Sequence, residues 1–154
     1  MPNKVVNNSV VVIASAGGHL REARLATSRL GLKPVYITYK APHLRDTTGD
    51  DVFYYVIHPR RNPLRLLANA VQAIWLVVKL RPRVVITTGA DVAVPFSIFA
   101  RLLGAKLIYI ESGANISSPT LTGKILYHFA DLFIVQWKAV GKFFPKAVHG
   151  GPLF

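Results

Sequence analysis

The residues SVVVIASAGGH, numbers 9–19, carry the clearest sign of how this chain folds. From Ser9 to Ala14 the run is mostly β-branched and apolar, which is typical of a strand buried on both faces of a parallel sheet. Small residues and two glycines follow directly, and they mark a tight turn into a helix. This stretch predicts the first strand, turn and helix of an α/β domain.

Strands and helices are predicted to alternate along the rest of the chain. A first helix should run from Leu20 to Leu30, and a polar loop from Pro42 to Asp51. Further strands are expected at Val35 to Tyr39, Val52 to Ile57, Val84 to Thr88, Lys106 to Ile110 and Leu132 to Val135, and further helices at Leu64 to Leu80, Val92 to Leu103, Leu121 to Ala130 and near Val140. This order predicts one Rossmann-like domain over residues 1–154, a parallel sheet with helices on both faces.

Composition narrows the choice of partners. The 154 residues are 51% hydrophobic and only 17% charged, yet the net charge is +12. Such a surface attracts polyanions, namely nucleic acid, anionic lipid headgroups or phosphorylated substrates. Because dense Lys/Arg tracts and nucleic-acid-reading motifs are absent, an anionic membrane surface is the favoured partner and no nucleic acid is expected. With no cysteine and with scattered histidines, no metal site is expected.

The apolar helix from Leu64 to Leu80 is the candidate membrane-binding element. The cations Arg60, Arg61 and Arg65 precede or begin it, and Trp75 supplies an aromatic ring suited to the headgroup zone. A spanning helix needs about 20 apolar residues, so this one is too short and too polar at its flanks to cross a bilayer. The alternative interpretation is a core helix with solvated arginines.

Three small, polar loops are expected to meet at the carboxyl edge of the sheet. In the common strand order 3-2-1-4-5, the first, fourth and fifth strands are neighbours, and ligands bind beyond their carboxyl ends. Glycines and helix N-termini there favour a phosphate, although a tight turn without a ligand is the alternative. The candidate substrate- or phosphate-binding residues are Ser15, Gly17, Gly18, Thr88, Gly89, Ser112 and Asn115. Neither G-x-G-x-x-G nor a P-loop is present, which disfavours NAD binding and simple ATP hydrolysis.

His19 and Glu111 are the candidate catalytic residues. His19 begins the first helix, where the dipole disfavours its cation, so it would be neutral and able to accept a proton. Glu111 directly follows a strand, and its carboxylate is expected to project into the crevice as a base or as an acceptor for a sugar hydroxyl. A structural role is the alternative for each. Asp91 is expected to be a helix N-cap.

Four stretches of the chain together resemble one known family. Ile13 to Leu20, Thr87 to Asp91, Tyr109 to Ser112 and Val148 to Leu153 resemble the Alg14/PssD family of polysaccharide-biosynthesis glycosyltransferase subunits. The chain is also similar to the N-terminal, acceptor-binding half of MurG-type GT-B enzymes. The match covers nearly the whole chain and is specific as an ordered set.

The resemblance implies one half of a split enzyme. A small Alg13/PssE-like partner would bind the UDP-sugar donor, and this chain would be inactive alone. Here the acceptor would be a polyprenyl-diphosphate-linked sugar, with no cofactor and no obligatory metal. His19 would be the base or orienting residue, and Gly17 and Gly18 would approach the diphosphate. Glu111 would face the acceptor or the cleft between the two halves. The terminal residues Gly150, Gly151, Leu153 and Phe154 would dock the partner.

The resemblance leaves several points open. Eukaryotic members begin with a transmembrane anchor, whereas Met1 to Ser9 is polar, so peripheral attachment to the cytoplasmic face of the membrane is expected through the basic apolar helix. GlcNAc, glucuronic acid, glucose and galactose all remain possible donor sugars. Two other functions compete: a noncatalytic membrane scaffold that activates the partner, and a basic nucleic-acid-binding domain.

Overall fold

Seven parallel strands form one sheet in a computed structural model that describes residues 9–44 and 51–153. The strands are β1 (Val10–Ala14), β2 (Val35–Thr38), β3 (Val52–Tyr55), β4 (Val84–Gly89), β5 (Lys106–Ile110), β6 (Leu132–Val135) and β7 (Val148–His149). Their order is β3-β2-β1-β4-β5-β6-β7. The expected 3-2-1-4-5 arrangement is confirmed, and β6 and β7 extend it at one edge.

Within the described ranges, five helices connect the strands. They are α1 (Gly18–Thr27), α2 (Pro63–Leu80), α3 (Val94–Leu102), α4 (Leu121–Leu126) and α5 (Lys138–Gly141), with short 3-10 turns at Pro42–Leu44 and Asp91–Ala93. Most of the predicted loop from Pro42 to Asp51 lies outside the described residues. The described elements follow the order expected from the sequence, apart from the two-residue β7, which is too short to show a pattern.

Two helices end earlier than the sequence predicts. The first helix was expected to reach Leu30, but α1 ends at Thr27, and tight turns follow in which Leu30 N donates to the Thr27 carbonyl at 3.1 Å. Similarly, the helix expected to reach Ala130 ends at Leu126 as α4. Phe129 N donates to the Leu126 carbonyl at 3.0 Å. Such i to i−3 bonds satisfy the last carbonyls of a helix while ending its regular spiral.

Alternate residues of each strand supply two cores, one on each face of the sheet. On β1, Val11 and Ile13 pack toward α2, α3 and α4, while Val10, Val12 and Ala14 pack toward α1. All five are buried. The sheet is therefore covered on both faces, and α1 stands alone on the face opposite α2 among the described helices that supply buried core residues.

The helix α2 is packed on one side and exposed on the other. Asn62 caps it, since its Oδ1 accepts from the N–H groups of Leu64 and Arg65 at 3.0 and 3.1 Å. Because α2 follows β3 and precedes the parallel β4, its N-terminal end lies at the carboxyl edge of the sheet and it runs antiparallel to the strands. By length and composition alone it could cross a membrane, contrary to the expectation that it is too short, and 28% of it is buried in the domain.

Candidate functional site

A cavity of about 400 Å³ opens at the carboxyl edge of the sheet, beside the ends of β1 and β5. The turn after β1, the start of α1 and the loop after β5 form its walls. The residues that line it are Ser15, Ala16, Gly18, His19, Glu22, Ser112, Gly113 and Ala114. Four of the predicted site residues are thus brought together: Ser15, Gly18, His19 and Ser112.

Gly17 lies on the other side of the α1 N-terminus. It lines a larger cavity of about 510 Å³, whose walls include Arg21, Arg24 and Tyr36. Gly17 is also the residue that precedes α1, with φ at 102°, a backbone conformation that side chains disfavour. The second predicted glycine of the turn, Gly18, has open space where a Cβ would be.

The imidazole of His19 is held by the end of β4. Its Nδ1 lies 2.9 Å from the carbonyl oxygen of Thr88, and Thr88 Oγ1 donates to the His19 carbonyl at 2.6 Å. A carbonyl oxygen only accepts, so Nδ1 carries the proton in this hydrogen bond. In the neutral ring, Nε2 then carries a free lone pair. The side chain is 30% exposed, which leaves His19 accessible to a ligand in the cavity.

Thr88 and Gly89 support the site from behind without lining the cavity. Thr88 is fully buried, and Thr87 Oγ1 accepts from the Gly89 N–H at 3.0 Å. The β1–β4 register shifts after Ile13, so that Ala14 pairs with Gly89. Gly89 has φ at 100°, and a Cβ there would lie 2.8 Å from the Tyr109 hydroxyl. The two predicted ligand-binding residues Thr88 and Gly89 therefore belong to the end of β4, which positions His19, and not to the cavity wall.

Glu22 is a functional candidate that the sequence analysis missed. It lies one turn after His19 on α1, it is 3% exposed, and it lines the cavity. Its Oε1 accepts from Gly113 N at 2.8 Å and from Gln136 Nε2 at 3.3 Å, while its Oε2 lies 4.0 Å from His19 Nδ1. The signal available in the sequence was the i, i+3 spacing, which puts His19 and Glu22 on one helix face.

Glu111 does not project into the crevice, contrary to the expectation from the sequence. Leu107 and Tyr109 of β5 pack on the face covered by α3 and α4, and the strand's alternation sends Glu111 the same way. It is 1% exposed, and a Cβ on Gly123 of α4 would overlap its carboxyl group. Burial raises the pKa of the Glu111 carboxyl, opposed only in part by nearby polar groups of Thr120 and the backbone of Ser112.

The change Glu111→Gln is expected to remove a pH dependence of stability. Because the folded-state pKa of Glu111 is raised above the ordinary 4.5, the unfolded chain loses this proton first as the pH rises. Stability should fall by up to about 1.4 kcal/mol per pH unit between the unfolded and folded pKa values. Urea unfolding at a series of pH values measures this loss. The free energy of unfolding of Glu111→Gln should rise relative to that of the wild type as the pH rises.

The matched control for this experiment is Asp131→Asn. Although burial opposes it, the Leu107 N–H and the Lys106 and Arg101 cations hold the pKa of Asp131 below its ordinary value. Asp131 therefore stabilises the fold above its unfolded pKa, and this contribution is lost as pH falls through its folded pKa, the opposite sign from Glu111. Equal pH slopes for wild type and Glu111→Gln would contradict a raised pKa at Glu111.

Two other predicted residues lie apart from the cavity. Asn115 is half-buried in the turn after β5, where its N–H donates to the Ser112 carbonyl at 3.2 Å. Asp91 is not an N-cap, contrary to the expectation, because its Oδ1 lies 3.1 Å from His58 Nε2 and Ala90 precedes the 3-10 turn. Among the described residues, no group of three or more His, Asp or Glu side chains is placed to bind a metal.

The predicted docking segment at the C-terminus is tied to β6. Gly150 N donates to the Val135 carbonyl and Leu153 N donates to Gln136 Oε1, both at 3.0 Å. Leu153 also packs against the core on the α1 face. Gly151 has φ at 78° with open space around it. Phe154 lies outside the described residues.

An apolar stripe covers the solvent side of α2. Its members are Leu64, Leu67, Val71, Trp75 and Val78, each between 56% and 76% exposed. These positions recur at helical spacing on one face. Leu103 at the end of α3, 68% exposed, shares a surface cavity with Val78 and prolongs the apolar surface. Arg60, Arg61 and Arg65 are exposed beside the N-terminal end of the stripe, as both interpretations of this helix expect. One side of α2 packs in the core and the other is exposed, so α2 is not a helix buried on all sides.

Comparison with known proteins identifies one family. The family described as Oligosaccharide biosynthesis protein Alg14 like matches residues 61–153, more than half of the chain. A rat protein named UDP-N-acetylglucosamine transferase subunit ALG14 is 29% identical in an alignment of 175 positions, gaps included, that covers 92% of this chain and 81% of that protein. The human protein of the same name is 35% identical over 93 residues, 54% of this chain and 43% of its own length.

Solved structures share the fold. MurG from Acinetobacter baumannii superposes with a TM-score of 0.70 at 19% identity, over 86% of this chain and 43% of the MurG chain. The UDP-N-acetylglucosamine 2-epimerase from Rickettsia bellii gives 0.69 at 12% identity, over 94% of this chain and 42% of the epimerase. At these identities the likeness shows the fold alone. The chain spans less than half the length of either enzyme.

Proposed function

The chain belongs to the Alg14-like family of oligosaccharide biosynthesis proteins, and we propose on this basis that it is the membrane-associated acceptor subunit of a two-component UDP-sugar glycosyltransferase. Relatives named as subunits of a UDP-N-acetylglucosamine transferase support a sugar transferase assembled from more than one chain. GlcNAc is therefore the first donor to test, with glucuronic acid, glucose and galactose as alternatives.

The fold supports the division of labour between two chains. The domain corresponds to less than half of a MurG chain, so a separate subunit would supply the donor-binding half. We place that small subunit against the C-terminal segment Gly150–Phe154, whose described part lies on the same sheet edge as β7. The UDP-sugar is a substrate held mainly by the partner, and neither a cofactor nor a metal is part of the proposed reaction.

The cavity beside His19 supports acceptor binding. At the start of α1, the N–H groups of Leu20 and Arg21 already donate to backbone carbonyls. Those of Gly18 and His19 are left to bind a phosphate, here the diphosphate that links the acceptor sugar to its lipid. Ser15 and Ser112 add hydroxyl groups to the same wall. His19 Nε2, with its free lone pair, is the group we assign to the acceptor hydroxyl.

The proposed reaction is a single displacement with inversion. The acceptor oxygen forms a bond to the anomeric carbon as its proton passes to His19 Nε2, and the bond from that carbon to the UDP oxygen breaks. UDP leaves with the bonding electron pair. The observation that carries this proposal is the hydrogen bond from His19 Nδ1 to the Thr88 carbonyl. This bond directs the other ring nitrogen, Nε2, away from the end of β4.

The exposed stripe of α2 supports a peripheral position on the cytoplasmic face of a membrane. Apolar side chains flanked by arginines fit the interface of an anionic leaflet, where each cation is worth about 1 kcal/mol. A lipid-linked acceptor would be present in that same membrane. The helix would lie in the interface because its other side packs on the domain, with Asn69, Leu76 and Leu80 buried.

The test is co-expression of this chain with its candidate small subunit, followed by a transfer assay from UDP-sugars to a lipid-linked acceptor in membranes. Each subunit alone is the control. Transfer by the pair and by neither chain alone is the expected result. Inactivity of the pair with every common UDP-sugar, together with tight, salt-sensitive binding of nucleic acid by this chain, would overturn the proposal in favour of a nucleic-acid-binding domain.

A further inference from the structure

A buried carboxylate stands directly behind His19. Glu22 is on the same helix, one turn along, and its Oε2 lies 4.0 Å from His19 Nδ1. We infer that Glu22 is a positioning residue that fixes the imidazole of His19 with its proton on Nδ1 and stabilises the ring when it accepts the acceptor proton. The catalytic part of this inference rests on the proposed function, whereas the proton position on the ring does not.

The two carboxylate oxygens of Glu22 have different surroundings. Oε1 accepts from the Gly113 N–H and from Gln136 Nε2, and Gln136 in turn accepts from Leu153 N through its Oε1 at 3.0 Å. These bonds tie α1 to the loop after β5 and to the C-terminal segment. Because Oε1 is held from two directions, the carboxylate cannot rotate freely, and Oε2 is fixed in its orientation toward His19.

Oε2 of Glu22 makes no hydrogen bond within the described part of the fold. It is buried and has no hydrogen-bond partner among the described residues. A buried, unpaired carboxylate oxygen is costly. Both carboxylate oxygens of Glu111 are unpaired in the same way, but Glu22 is the one of the two acids that lines the cavity. The ring of His19 brings its Nδ1 to within 4.0 Å of Oε2 of Glu22. A negative charge at this position favours a proton on Nδ1 and a positive charge on the ring.

The geometry therefore combines two effects on one nitrogen. The Thr88 carbonyl accepts the Nδ1 proton at 2.9 Å, and Glu22 adds a negative charge behind the same atom. Both leave the lone pair on Nε2. In hydrolytic triads a carboxylate orients the catalytic histidine in a similar way. Here the carboxylate lies 4.0 Å from Nδ1 and makes no direct hydrogen bond to it.

The decisive variant is Glu22→Gln. Glutamine keeps the shape and places its carbonyl oxygen where Oε1 accepts from Gly113 and Gln136, but it puts an NH₂ group toward Nδ1. In the two-subunit complex, kcat should fall by about ten- to a hundredfold, the range for loss of a group that orients a functional histidine, with little change in KM. Asp131→Asn, the same acid-to-amide change at the amino edge of the sheet, is the control and should leave kcat unchanged.

A double-mutant cycle with His19→Asn separates positioning from folding. If Glu22 acts through His19, Glu22→Gln should have no further effect on kcat in the His19→Asn background. An equal loss of kcat in both backgrounds would show that Glu22 supports the fold and would overturn the inference.

A second measurement is independent of activity. Imidazole ¹⁵N NMR of this chain alone, in alkaline buffer that keeps the ring neutral, should show His19 as the Nδ1–H tautomer, and Glu22→Gln should move the population toward Nε2–H. If the wild-type complex transfers no sugar, the proposed function fails while this spectrum still decides the Glu22–His19 relation. An unchanged tautomer population in Glu22→Gln would overturn the inference whatever the activity.

Discussion

Replacing His19 by asparagine should lower kcat of the two-subunit complex by about a hundredfold or more, the usual contribution of a general base. Asparagine can donate from its side-chain amide to the Thr88 carbonyl, as Nδ1 does at 2.9 Å in the wild type. It offers no nitrogen equivalent to Nε2. The substitution therefore removes the proposed base while it keeps the hydrogen bond to β4.

The controls for His19→Asn concern assembly. Partner binding and vesicle binding should match the wild type, since the side-chain hydrogen bond of His19 goes to Thr88 and not to α2 or the C-terminal segment. A kcat within about threefold of the wild type, when a base is expected to contribute a hundredfold or more, would reject His19 as the base. Combined with normal activation of the partner, that outcome would favour a noncatalytic membrane scaffold.

Two acidic substitutions on the exposed stripe, Leu67→Glu with Val71→Glu, should abolish most membrane binding. Each removes an apolar side chain worth about 1.5–3 kcal/mol when fully buried and places a negative charge against an anionic surface. The expected loss of affinity is at least about a hundredfold. Co-sedimentation with vesicles of phosphatidylglycerol and phosphatidylcholine measures it, and vesicles of phosphatidylcholine alone report the electrostatic share.

The matched control lies on the opposite face of the domain. Leu30 and Leu32 are 53% and 39% exposed in the segment after α1, and their change to glutamate adds the same charges away from α2. This control should bind vesicles as the wild type does, apart from a small electrostatic effect. Equal losses in both double variants would mean that net charge alone governs binding, and the stripe would have no specific role.

The sheet was predictable because its strands are buried on both faces. Runs such as VVVI in β1 and LIYI in β5 are apolar at every position, and this pattern is hard to confuse with an exposed loop. The glycine turn after β1 and the strand order then placed His19 at the correct edge. The apolar character of α2 was also visible in its composition, but the exposed stripe itself needed coordinates, since an apolar helix packs equally well in a core.

The role of the acidic residues was not predictable in the same way. Glu22 lies between Leu20 and Ala23 and looks like a solvent-facing charge, because its partners Gly113 and Gln136 are 91 and 114 positions away. Glu111 looks like an edge carboxylate, since the strand pattern ends at Ile110. The alternation of β5 could have predicted its true position, because Tyr109 and Glu111 lie on the same face of the sheet. That face is covered by α4.

The direction of α2 has a consequence for how an acceptor would arrive. Because α2 runs antiparallel to the strands and begins at their carboxyl edge, a bilayer that touches its stripe in the proposed arrangement would lie along the strands and reach the edge that holds the cavity beside His19. If the acceptor sugar is anchored in that bilayer, as proposed, it would reach the cavity by lateral diffusion in two dimensions. The concentration that governs the rate is then the acceptor's surface density, so diluting it with inert lipid should slow transfer even when its total amount is constant.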